Sequence, residues 1–136
     1  MNRRSAALLI CFVVLPAMAG AADGPRQKVV CPAQAPAAWG SPHGALSGVE
    51  VLATPRDTPI DETAPPSLVP DRQLRQGDRL VQIWTMNVEG PTWAYYVDCH
   101  YRGTARVLRL DAAGTTRCQR RLPATQPDGP QSLTCD

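Results

Sequence analysis

The chain is short of the residues that most enzyme chemistry draws on. It has two histidines, His43 and His100, one lysine, Lys28, and one phenylalanine, Phe12. It has no Cys-x-x-Cys pair and no closely spaced histidines, which argues against a metal site. Gly-x-Ser-x-Gly, a glycine-rich phosphate loop, a calcium loop and a haem motif are all missing. We therefore expect no cofactor, no metal and no catalytic residue. The apolar run Ala6–Leu15 is too short to span a bilayer, and no stretch beyond a few residues repeats at helical period.

What is present begins with an export signal. Arg3 and Arg4 precede the apolar run, Pro16 ends it, and Ala17-Met-Ala19 and Ala19-Gly-Ala21 are both small-x-small cleavage sites. Residues 1–21 read as a signal peptide cut after Ala19 or Ala21. Residues 22–136 then form a single domain, periplasmic or secreted and without a membrane anchor. Cys11 leaves with the signal, because Ile10 before it is not the small residue that lipoprotein processing requires. Loss of Arg3 and Arg4 leaves 12 basic against 12 acidic residues. A chain that is neutral overall argues against nucleic acid or a generic membrane surface as partner.

Four cysteines remain, Cys31, Cys99, Cys118 and Cys135, and an even number in a small exported chain reads as two disulfides. A hairpin about the loop Pro123–Pro130 would set Cys118 opposite Cys135 and leave Cys31 to reach Cys99. The competing arrangement is Cys99–Cys118 with Cys31–Cys135.

The rest of the chain reads as strands and turns. Val29-Val30 starts a short strand, and an extended arm runs from Pro32 to Gly44, tied down by Cys31 and Trp39. Val49 and Val51 alternate with Glu50 in the strand 47–54. Five prolines between 54 and 70 exclude helix and ladder pairing there, with Leu68 and Val69 expected to pin the end of that loop. Further strands are expected at 79–88, 93–102, 104–111, 115–122 and 131–135. Asn87–Pro91 supplies the turn that would return 93–102 antiparallel to 79–88. Strands spaced by about ten residues with turns between them predict an all-β fold: a small antiparallel meander or barrel-like sheet with two disulfides and an extended N-terminal arm.

Trp93, Tyr95, Val97, Cys99 and Tyr101 share one side of strand 93–102 and read as core, as do Trp39 and Trp84. Tyr96, Asp98, His100 and Arg102 take the other side. His100 reads as an exposed histidine paired with Asp98, and Asp57, Asp61 and Glu62 as solvation. The candidate binding residues are Tyr96, His100 and Arg102 on that face, with Asn87 and Glu89 in the turn. Arginines 102, 106, 109, 117, 120 and 121 crowd the C-terminal part and carboxylates the segment 23–71. The two parts either neutralise each other in the fold or leave an arginine-rich interface.

These residues resemble a family of small exported proteins of Gram-negative bacteria, some of them encoded near type VI secretion clusters. The matching positions are Cys31-Pro32, Trp39, the strand Leu46–Val51, Leu68-Val-Pro-Asp71, Trp84, the string Tyr96-Val-Asp-Cys99-His-Tyr101-Arg-Gly-Thr104, Cys118 and Cys135. Ala53-Thr-Pro-Arg56 departs from the Gly-Pro-Pro type of turn expected there. The resemblance implies a compartment, a scaffold and no reaction, and the genomic association implies an inhibitor or immunity role. We expect a non-enzymatic domain that binds another envelope or secreted protein, such as a toxin or cell-wall hydrolase. The alternative is an envelope structural or assembly factor that binds anionic glycan or lipid.

Overall fold

The computed structural model describes residues 28–40, 44–86 and 92–136. The signal peptide, His43, Asn87 and Glu89 lie outside them. The strands are β1 (Val29–Val30), β2 (Leu46–Pro55), β3 (Arg72–Gln76), β4 (Arg79–Thr85), β5 (Trp93–Tyr101), β6 (Val107–Asp111), β7 (Arg117–Pro123) and β8 (Ser132–Cys135), with one 3-10 turn at Ala37–Trp39. They form two antiparallel sheets, one of five strands in the order β1-β8-β7-β4-β3 and one of three in the order β2-β5-β6. The fold is all-β and antiparallel, with two disulfides.

The core lies between the sheets. Val49 and Val51 of β2 and Val97, Cys99 and Tyr101 of β5 pack with Trp84, Cys118, Leu133, Cys135 and Val29 of the larger sheet. Period-two alternation produces this inner layer, because residues two apart on a strand share a face. β2 breaks the alternation: Leu52 and Thr54, on its outer side, are also buried. The proline-rich segment after Pro55 accounts for this. It leaves β2, sends Glu62 to Arg109 on β6, and returns to β2 where Ser67 bridges Leu52, so it lies across the outer face of the smaller sheet.

One disulfide joins the sheets and one lies within a sheet. Cys31 extends the β1–β8 pairing by donating its N–H to Leu133, and its sulfur reaches Cys99 in the smaller sheet. Cys118 and Cys135 are direct cross-strand partners on β7 and β8. Two bridges of this kind suit an oxidising compartment outside the cytoplasm.

Two local features differ from the sequence reading. Strands 79–85 and 93–101 do not pair with each other: β4 lies between β3 and β7, and β5 between β2 and β6. The turn expected at Asn87–Pro91 lies outside the described residues. β5 pairs over its whole length with β2 instead. β3 was not expected at all, since Arg72-Gln-Leu-Arg-Gln76 has no apolar alternation. It forms because Gly77, at φ 62, leads a two-residue hairpin loop into β4. Its charged side chains suit the open edge of a sheet.

The N-terminal arm folds back on itself. Leu46 donates to the Ala33 carbonyl at 2.9 Å and Ala35 to the Gly44 carbonyl at 2.9 Å. Trp39 meets Tyr101 edge-on at 5.9 Å, and the Arg106 guanidinium covers the Trp39 ring at 4.6 Å. Gly44 is the tight point, because a Cβ there would stand 1.7 Å from the Arg102 carbonyl oxygen. Gly44→Ala must push one backbone away from the other. We expect a loss of about 1–3 kcal/mol, read as a lower urea midpoint at unchanged slope.

Candidate binding surface at the Trp93 end

β5 carries most of the expected site residues, and the structure separates them. Tyr96 pairs with Leu52 and Asp111 near the start of the strand. His100 and Arg102 lie at its other end, roughly 13–20 Å away at strand rise. The His100 imidazole stands 3.7 Å from Glu50 and is not paired with Asp98. Ser47 reaches only the His100 backbone carbonyl. Arg102 is drawn off by a hydrogen bond to the Asp128 carbonyl and lines a groove of about 740 Å³ between the arm and the loop 125–131.

Asp98 was expected to sit outward beside His100, yet it is 2 % exposed. Arg109, directly opposite on β6, holds both its oxygens, at 2.8 and 2.7 Å. The same guanidinium reaches Glu62 at 2.5 Å. These hydrogen bonds raise the Arg109 pKa further above its ordinary value, Asp98 contributing most, so the cation persists at every working pH. Glu62 is therefore the strap that holds the proline-rich segment down, a role beyond solvation. The crowded arginines and the acidic N-terminal segment neutralise each other at this point.

A different set of residues gathers at the start of β5. Trp93, expected in the core, is 46 % exposed; it is the first residue of its strand, at the rim of the core. Leu68 does pin the loop, donating to Val51 at 2.7 Å and accepting from the Trp84 indole at 3.0 Å. Val69 beside it is 83 % exposed. Trp93 and Tyr95 line two depressions. One, of about 260 Å³, runs past Val69 and Asp71. The other, of about 460 Å³, runs past Tyr96, Asp111 and the turn Arg56–Pro59. That turn is fixed by Arg56 donating to the Thr92 carbonyl at 2.7 Å and Thr58 to the Pro55 carbonyl at 3.0 Å. Asp57 takes φ 68 there, a conformation that aspartate tolerates better than most residues.

Of the expected binding residues that the structure describes, Tyr96 joins this surface and His100 and Arg102 do not. Sequence reasoning missed Trp93 and Val69 because alternation assigns a face and does not say where the opposite sheet ends. The available signal was position: Trp93 opens its strand two residues after Pro91. Exposed tryptophan and valine beside tyrosines, ringed by Asp57, Asp71, Asp111 and Arg56, have the composition of an interface centre with a polar rim.

A scan of protein-family models and searches of curated proteins and solved structures found no match to this chain.

Proposed function

We propose that this is a non-enzymatic binding domain, periplasmic or secreted, that docks another protein on its Trp93 end. An inhibitor or immunity role against a toxin or cell-wall hydrolase fits best. The observation that carries the reading is the half-exposed Trp93 next to Val69 on a frame braced by two disulfides. A blocking protein needs an anchor that is already ordered before binding, so that little freedom is lost on association. Asp57, Asp71 and Asp111 at the rim, against Arg56, favour a partner whose contact surface is apolar at the centre and basic around it. His100 has Glu50 as its acid and no nucleophile beside its ring among the described hydrogen bonds, which supports a binding role over hydrolysis.

The test is capture from periplasmic extract and from strains expressing neighbouring secreted effectors, followed by titration of the purified partner. Trp93→Ala should weaken that complex by about 30-fold or more, the scale of an interface hot spot. His100→Ala should leave it unchanged. A captured partner that binds Trp93→Ala as tightly as the parent protein would remove this assignment.

A further inference from the structure

One face of the five-stranded sheet looks away from the core. Cys118 and Leu122 of β7 point inward, so Arg117, Gln119 and Arg121 point outward. Register carries the same sorting across the sheet. Arg121 stands beside Val81 and Ser132, Gln119 beside Ile83 and Thr134, and Arg72 beside Ile83. Lys28 precedes Val29, whose partner is the inward Cys135, so it joins the outer face. Lys28, Arg72, Arg117 and Arg121 are all exposed. None of them has an ion-pair partner among the described residues.

Most of the acids named so far lie elsewhere. Asp98 and Glu62 are taken by Arg109, and Glu50 faces His100 on the smaller sheet. Asp71, at the Trp93 end, accepts from the Thr85 N–H at 2.6 Å. Asp136 is the carboxylate at the rim of the cationic depression. A chain near neutrality overall is thus divided by its fold into a cationic sheet face and a more acidic Trp93 end.

The cations surround a built feature. Lys28, Arg117 and Arg121 ring a shallow depression of about 250 Å³, also lined by Gln119, Ser132 and Thr134. Three cations, an amide and two hydroxyls, against the single acidic residue Asp136, form a donor-rich seat for an anion carrying several acceptor oxygens. We propose that this face docks on an anionic phospholipid surface, with a headgroup phosphate seated between Lys28, Arg117 and Arg121. At about 250 Å³ the depression is sized for a single head group and is short for a sugar chain, and Val81 and Ile83, which share this face by register, are buried beside the arginines. Val30, 46 % exposed on the same face, supplies an apolar side chain beside the cations, and apolar contact adds to electrostatic attraction at a bilayer surface. This inference is independent of the Trp93 end, whose two depressions share no lining residue with this one.

The experiment is sedimentation of the oxidised, folded protein with phosphatidylglycerol or phosphatidylcholine vesicles. Binding is expected to phosphatidylglycerol alone, and it should fall steeply as salt rises from about 0.05 M to about 0.5 M. Arg117→Glu with Arg121→Glu should weaken it by at least about 30-fold and Lys28→Glu by about fivefold or more, each checked for an unchanged near-ultraviolet spectrum. Trp93→Ala should bind vesicles like the parent. Equal binding to both lipids, undiminished binding by the charge-reversed proteins, or retention on dextran sulfate without binding to phosphatidylglycerol would each overturn the proposal.

Discussion

Replacing Cys31 and Cys99 together by alanine should cost about 4 kcal/mol of folding free energy, and removing both bridges should leave no folded domain at ambient temperature. The first bridge spans 68 residues of sequence and the second 17. In the chain-entropy account a longer closed loop loses more freedom when linked, so the shorter bridge contributes about 3 kcal/mol. Small domains have stabilities of about 5–15 kcal/mol, so either loss is a large share of the total. The two differ in what they hold. Cys31–Cys99 ties the five-stranded sheet to the three-stranded one, whereas Cys118–Cys135 reinforces two strands that the ladder already pairs. Urea unfolding of the two paired-alanine variants checks this: the Cys31/Cys99 variant should have the lower midpoint. An equal or higher midpoint would show that the sheets are held by packing alone.

Arg109→Met should destabilise the fold on the scale of a large core truncation. Asp98 is sealed under the proline-rich segment and depends on that guanidinium for its charge partner. Leaving a buried carboxylate alone costs about 3–5 kcal/mol. We expect about 3, because the Arg109 side chain is 27 % exposed and water can partly replace it. Adding Asp98→Leu to Arg109→Met should recover most of the loss, since replacing both partners by apolar side chains removes the orphaned charge. The Glu62 side chain is 70 % exposed, and an exposed ion pair contributes little to global stability. Glu62→Gln should therefore leave the urea midpoint almost unchanged while making residues 56–66 easier to cut by protease. Equal midpoints for Arg109→Met and the parent would refute the buried pairing.

The readable parts of the sequence were those where one local rule acts alone. Val49 and Val51 flanking Glu50 mark β2, and the alternation from Trp93 to Tyr101 marks β5. The turn residues of Pro123–Pro130 place Cys118 against Cys135, which leaves Cys31 for Cys99. The rest needed long-range information. β4 and β5 adjoin in sequence but enter different sheets, a choice made by which strands pair along their full length. Asp98 is buried because a loop some forty residues earlier lies over it, and no local pattern records that cover. His100 looked like its partner because it is two residues away; Arg109 wins because it stands directly across the ladder. Net charge was the least informative quantity, since it averages over faces that the fold separates.

The two bridges support everything argued about surfaces, because only a rigid pair of sheets presents Trp93 and the cationic face in fixed places. Their connectivity is read directly by proteolysis without reduction, followed by mass spectrometry of protein recovered from its own compartment. Peptides carrying Cys31 and Cys99 should emerge linked, as should those carrying Cys118 and Cys135. Recovery of Cys99 joined to Cys118 and Cys31 to Cys135, or of four free thiols, would contradict the fold described above.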